Sequence, residues 1–144
     1  MRLSLLTPCL KSSDLLQTVA FYVELLGFRV ETLWPPDEPT LAVLDHGPSE
    51  HEVAVSLMFY AEDMYEGEPP PVMTGQLTLD VDDVLALHER LEGRVDVLWG
   101  PEVYHYGRRE FSIADPDGYR LVFTEPTDDE PDCDGDDVEA ADED

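Results

Sequence analysis

Few side chains in this 144-residue chain are placed to do chemistry. His46 and His51 flank a loop that also carries Glu50 and Glu52, His88 falls within a predicted helix, and His105 sits between Tyr104 and Tyr106. No Ser, His and Asp follow one another in a triad order, and no Cys has a His in a nucleophile context. There is no glycine-rich phosphate loop. Aromatic rings and one carboxylate are better placed: Trp34, Phe59, Trp99, Tyr104, Tyr106 and Glu110 lie in or beside predicted strands. Rings stack on planar groups and attract cations to their faces, and a carboxylate neutralises a cation. The chemistry these six suggest is binding, and His105 between the tyrosines is a further candidate for contact.

Each of the six has a structural reading as well. Trp34 and Trp99 end strands at matching places and serve either as core plugs or as site walls. Phe59 continues the alternation Val53, Val55, Leu57, so plain core accounts for it equally. Glu110 follows Arg108 and Arg109, which allows a structural ion pair. Tyr104 and Tyr106 lie in a loop, where a large amphipathic ring has little structural reason to be.

The elements that must hold these residues come in two similar sets. The spacing of Leu15, Val19, Tyr22 and Leu26 predicts a helix over about 14–26, capped by Asp14 and closed by Gly27. Val84, Leu87 and Leu91 predict a second over about 82–91, closed by Gly93. Strands are predicted at Leu3–Cys9, Arg29–Leu33, Thr40–Asp45 and Val53–Phe59, then at Gln76–Val81, Val95–Trp99, Glu110–Ala114 and Arg120–Thr124. Phe111, Ile113, Leu121 and Phe123 recur at period two across Asp115-Pro116-Asp117-Gly118, a turn sequence. The order is β-α-β-β-β, twice. The predicted fold class is α+β, in two tandem βαβββ modules: module one about 1–65, a Pro-rich linker 66–73, and module two about 74–126. Residues 127–144 read as an acidic disordered tail.

Charge and cysteines narrow the function classes. The formal net charge is −26. Eleven of the 34 acidic residues fall in 128–144, and the other 23 still face only eight bases, so the acidity is not confined to the tail. Nucleic acid and anionic membranes are excluded as partners on this ground, and a cationic ligand is favoured. Solubility or a salty habitat explains the same composition. No apolar run has the roughly 18–20 residues of a membrane span. Two cysteines make no disulfide framework, which points to a cytoplasmic location. Cys9 is expected to be a small core residue, and Cys133, between two aspartates, an unreactive thiol.

The hairpin Tyr106–Phe123 resembles the closing hairpin of the vicinal oxygen chelate superfamily, which includes glyoxalase I, extradiol dioxygenases and bleomycin-resistance proteins. Asp14, Ala20-Phe21-Tyr22 and Leu25-Leu26-Gly27-Phe28 resemble its first-helix pattern, and the duplicated order over residues 1–126 is that of its fold, in which two modules curl mixed sheets around a cleft. In metal-using members the resemblance places ligands at positions that here hold Thr7, Ser56, Gln76 and Val122. Only Gln76 offers a good donor, so no metal site and no cofactor are expected. The segment Tyr106-Gly107…Arg109-Glu110-Phe111, with Pro8 in the first strand, is similar to the bleomycin-resistance branch, whose members are metal-free acidic dimers that sequester cationic, planar-ring antibiotics. That resemblance implies a non-catalytic small-molecule binding protein, a homodimer, with Trp34, Phe59, Trp99, Tyr104, Tyr106 and Glu110 as its ligand-binding residues. A second reading is a metal-dependent lyase, isomerase or dioxygenase, using for instance Gln76 with His51 or Glu52. A third makes the fold an interaction module whose working part is the acidic tail.

Overall fold

Asp14 and Asp83 begin the two helices in the same way. Both are extended, at φ −148°, ψ 95° and φ −155°, ψ 93°, and each carboxylate accepts the backbone N–H three residues on, from Gln17 and from Ala86. A cap of this kind stabilises a helix by about 1 kcal/mol. Helix α1 (Leu15–Ala20) continues into a π-helical turn (Phe21–Leu25), and α2 spans Val84–Leu91. The glycines that follow, Gly27 and Gly93, take φ +76° and +83°, the left-handed conformation that ends helices.

The structure, a computed structural model, describes residues 1–132. Its strands are β1 (Cys9–Lys11), β2 (Arg29–Trp34), β3 (Leu41–His46), β4 (Val55–Tyr60), β5 (Leu77–Asp80), β6 (Asp96–Tyr104), β7 (Arg108–Ala114) and β8 (Arg120–Pro126). They form two four-stranded sheets of the same topology, β1-β4-β3-β2 and β5-β8-β7-β6. In each, the first strand pairs parallel to the last and the other pairings are antiparallel. Register shifts recur in the matching strands, after Val30 in β2 and after Val97 in β6, and a cis proline follows the tryptophan region of each, at Trp34-Pro35 and Gly100-Pro101. The fold is α+β, the doubled βαβββ order predicted from the sequence. No helix among the described residues is long and apolar enough to cross a membrane.

The chain divides into two compact units, Met1–Val72 with Pro116–Gly118, and Met73–Asp115 with the chain from Tyr119. In the first, Ala42, Leu44, Leu57 and Phe59 form the buried face of the sheet, and the fully buried Tyr22 stands against Phe59 and Phe28 at ring distances of 5.0 and 5.5 Å. In the second, Phe111 pairs with Phe123 and Ile113 with Leu121, all four buried, and the His88 ring of α2 meets Phe111 at 5.2 Å. The period-two reading of this hairpin is therefore a cross-strand register. Its turn is closed by Asp115, whose N–H donates to the Tyr119 carbonyl and whose carboxylate accepts from the Tyr119 N–H, each at 3.0 Å. Gly118 takes φ +85° there, and within the first unit the Asp117 carboxylate accepts from the Ser13 backbone N–H and hydroxyl.

The first strand differs from its predicted position. The ladder begins at Cys9 rather than Leu3, because Pro8 has no N–H to donate and only its carbonyl is used, accepting from the Met58 N–H at 2.9 Å. Residues 1–6 are exposed. Cys9 is correspondingly exposed instead of core. Partial desolvation, then the Glu68 carboxylate, push its thiol above the ordinary value. Cys133 lies outside the described residues.

The Pro-rich linker is fastened at one end: the Lys11 ammonium pairs with Asp63 and Glu68 and donates to the Pro69 carbonyl. Three of residues 127–132 bond within the second unit. The Thr127 N–H donates to the Gly107 carbonyl, Asp129 pairs with Arg109, and Asp132 both accepts from the Val103 N–H and donates to the Val103 carbonyl.

Candidate functional site

Register decides which side chains share a face, because residues opposite one another across a ladder point the same way. Each sheet turns one face to its helix. On the other face of the first sheet lie Trp34, Leu41, Tyr60 and Lys11 in one row, then Thr32, Val43, Met58 and Cys9, then Asp45 and Ser56. On the other face of the second lie Trp99, Ser112, Val122 and Thr78, then Glu102, Glu110, Thr124 and Asp80, then Tyr104 and Arg108. Of the four positions carried over from metal-using relatives, Ser56 and Val122 lie on the helix-free faces, while Thr7 and Gln76 precede β1 and β5 and pair in neither ladder.

The residues at those positions do not suit a divalent ion. Val122 has no donor atom and is buried, and the Gln76 amide, exposed, donates at long range to the Thr78 hydroxyl. Ser56 is buried opposite Asp45, a carboxyl that is itself buried with its Oδ1 unpartnered among the described residues. His51 and Glu52 lie exposed in the loop between β3 and β4, where His51 faces Glu50 at 3.4 Å. Among the described residues no three His, Cys, Asp or Glu side chains converge on a common point.

Four of the six ligand-binding candidates come together in the second unit. The Trp99 ring meets Tyr104 edge to face at 6.1 Å, and Tyr104 stacks on Tyr106 at 5.4 Å with planes 3° apart. His105 packs against Tyr106 at 5.8 Å. The Tyr106 hydroxyl donates to Glu110 Oε1 and the Thr124 hydroxyl to Oε2, both at 2.8 Å. Arg108 does not pair with Glu110; its Nε donates to Thr124 Oγ1 at 2.9 Å and its terminal nitrogen reaches Asp80 at 3.2 Å. Arg109 points to the other face and pairs with Glu125 and Asp129. The structural ion pair suggested for Glu110 is therefore absent, and hydroxyls fix its carboxylate instead. Tyr106 is 57% exposed, so the stack has an open side.

Gly100 makes this arrangement possible. It takes φ +83°, and a Cβ there would lie 2.5 Å from the Glu110 carbonyl oxygen and 2.8 Å from Phe111 Cα. The bulge it carries brings β6 back into register, Trp99 opposite Ser112 and Glu102 opposite Glu110.

The other two candidates lie in the first unit. Trp34 is 60% exposed, a surface ring rather than a core plug. Phe59 is fully buried against Tyr22 and offers a ligand no surface. Its alternation with Leu57 was genuine, but alternation does not say which face meets the helix. Sequence reasoning missed Glu102, Thr124 and Asp80, which share a row with Glu110. The parity of Glu102 with Tyr104 was the available signal.

The profile of the Glyoxalase/Bleomycin resistance protein/Dioxygenase superfamily matches residues 7–123, and the chain belongs to that superfamily. No curated protein matches it. Among solved structures it is similar to TnmS3, an antibiotic binding protein from Streptomyces sp. CB03234, at 29% identity and TM-score 0.69, over 88% of this chain and 99% of that one. TioX from Micromonospora sp. ML1 shares 23% identity at TM-score 0.68, over 85% and 98% of the two chains. The bleomycin-binding protein of the bleomycin producer Streptomyces verticillus, solved with copper(II)-bleomycin, shares 21% at TM-score 0.60, over 90% and 99%. The last two likenesses speak for the fold alone.

Proposed function

We propose that this chain is a non-catalytic small-molecule binding protein of the bleomycin-resistance type, which sequesters a cationic, planar-ring ligand. The observation that carries the reading is the contiguous surface of Trp99, Tyr104 and Tyr106 beside the hydroxyl-fixed Glu110. Stacked rings give a planar ligand dispersion contact, and a carboxylate beside them favours a positive one. The net charge of −26 draws such a ligand in from solution. TnmS3, 29% identical, supports the reading as an antibiotic binding protein. The protein works in the cytoplasm, without a cofactor.

The reading includes a homodimer. Leu3 and Leu6 are 85% and 79% exposed upstream of the short β1, and a second copy is the occupant we assign to them. Light scattering on the eluting peak is expected to give twice the 16.2 kDa chain mass; a single-chain mass contradicts it.

The test of the function is quenching of tryptophan fluorescence by metal-free bleomycin and other cationic planar drugs, repeated in Trp34→Phe and Trp99→Phe. Saturable quenching is expected, lost in Trp99→Phe, and weakened at ~0.5 M salt, where the Debye length shrinks to about 4 Å. A flat titration with every drug tried contradicts the proposal.

A further inference from the structure

Glu102 has no role in the network just described. It lies half-buried on β6, directly opposite Glu110 on β7. Carboxylates in register across an antiparallel ladder stand with Cβ atoms about 5 Å apart, a pairing that repels. Glu110 is stabilised by two hydroxyl donors. The Glu102 side chain makes no hydrogen bond or ion pair with any described residue. The nearest cation in the adjoining row, Arg108, is engaged by Thr124 and Asp80. Two carboxylates therefore stand opposite each other with no positive charge shared between them, between Trp99 in one neighbouring row and Tyr104 in the other.

We infer that Glu102 is the residue that selects for positive charge at this surface. The inference rests on the binding function proposed above and adds the group that sets its specificity. The rings accept any flat molecule of suitable size, since dispersion does not read charge. Glu110 contributes less, because each of its oxygens already accepts from a hydroxyl, Tyr106 or Thr124, and its negative charge is partly offset by those dipoles. A cation over the Tyr104 ring sits within the roughly 6 Å range of a cation–π contact and relieves the repulsion between the two carboxylates at the same time. A neutral ring of the same shape leaves that repulsion in place. Specificity here is a difference between two affinities, and one uncompensated carboxylate supplies it.

The test compares a matched pair of probes at pH 7, 9-aminoacridine, which is cationic, and acridine, which is neutral, by fluorescence titration of the full chain and of Glu102→Gln. The wild type is expected to bind the cation at least tenfold more tightly than the neutral ring. Glu102→Gln is expected to lose most of that preference through weaker binding of the cation, with the acridine affinity unchanged. The glutamine is nearly isosteric and removes the repulsion with Glu110, so the ligand-free thermal midpoint of the variant is expected to equal or exceed that of the wild type. An unchanged preference in Glu102→Gln overturns the inference, as does a wild type that binds both probes equally or neither. These outcomes are distinct from failure of the function itself, which is judged by the drug titration on the wild type.

Discussion

Tyr104→Ala is expected to weaken binding of a cationic planar drug at least tenfold, about 1.4 kcal/mol or more. Tyr104 joins the other two rings of the surface, edge to face with Trp99 and stacked on Tyr106. Its loss leaves Trp99 and Tyr106 as separate contacts and opens the stack to water. Aromatic residues at the centre of a contact surface commonly cost 2 kcal/mol or more when truncated. Tyr104→Phe preserves the stack and is expected to retain most of the affinity. Titration of both variants with metal-free bleomycin checks the expectation. Equal dissociation constants for Tyr104→Ala and the wild type would place the ligand elsewhere.

Phe111→Ala is expected to cost about 3–5 kcal/mol of stability. The ring is fully buried, pairs with Phe123 at 5.2 Å across the β7–β8 ladder, and meets the His88 ring of α2 at the same distance. Its removal opens a cavity that a sheet and a helix cannot both close. For a chain of this size the change corresponds to a fall in thermal midpoint of roughly 10–20 °C. Differential scanning calorimetry measures it directly. A fall of only a degree or two would mean that the hairpin does not carry the core of the second unit.

The duplication was legible because local chemistry writes it twice. Asp14 and Asp83 are matching caps, Gly27 and Gly93 matching stops, and the four apolar residues of the closing hairpin alternate without interruption. Each of these signals depends on residues close in sequence. The start of β1 was not legible, because a strand needs a partner as well as an apolar run, and β4 offers pairing only to Cys9–Lys11. Phe59, which the sequence left open between core and site, is fully buried; period two separates the two faces of a strand but does not say which one the helix covers. Tyr104 and Tyr106 read as rings in a loop, yet Tyr104 ends β6 and only Tyr106 lies in the turn before β7, so the strand runs further than its apolar alternation indicated. Glu102 was not legible, because its meaning comes from a neighbour eight residues away across a ladder, placed there by the bulge at Gly100. Glu110 accepts from Tyr106 and Thr124 while Arg108 and Arg109 bond elsewhere, a matter of side-chain direction that the sequence does not record.

The central claim is that a planar cationic ligand lies on the Trp99–Tyr104–Tyr106 surface of the second unit. The most direct test is a heteronuclear NMR titration of the full chain with metal-free bleomycin, followed through the backbone amides and the indole N–H groups. The account predicts saturable shifts concentrated at Trp99, Glu102, Tyr104–Tyr106 and Glu110, with the core amides of Phe111–Ile113 moving little. Saturable shifts confined to the first unit, or none at all in a folded sample, would contradict it.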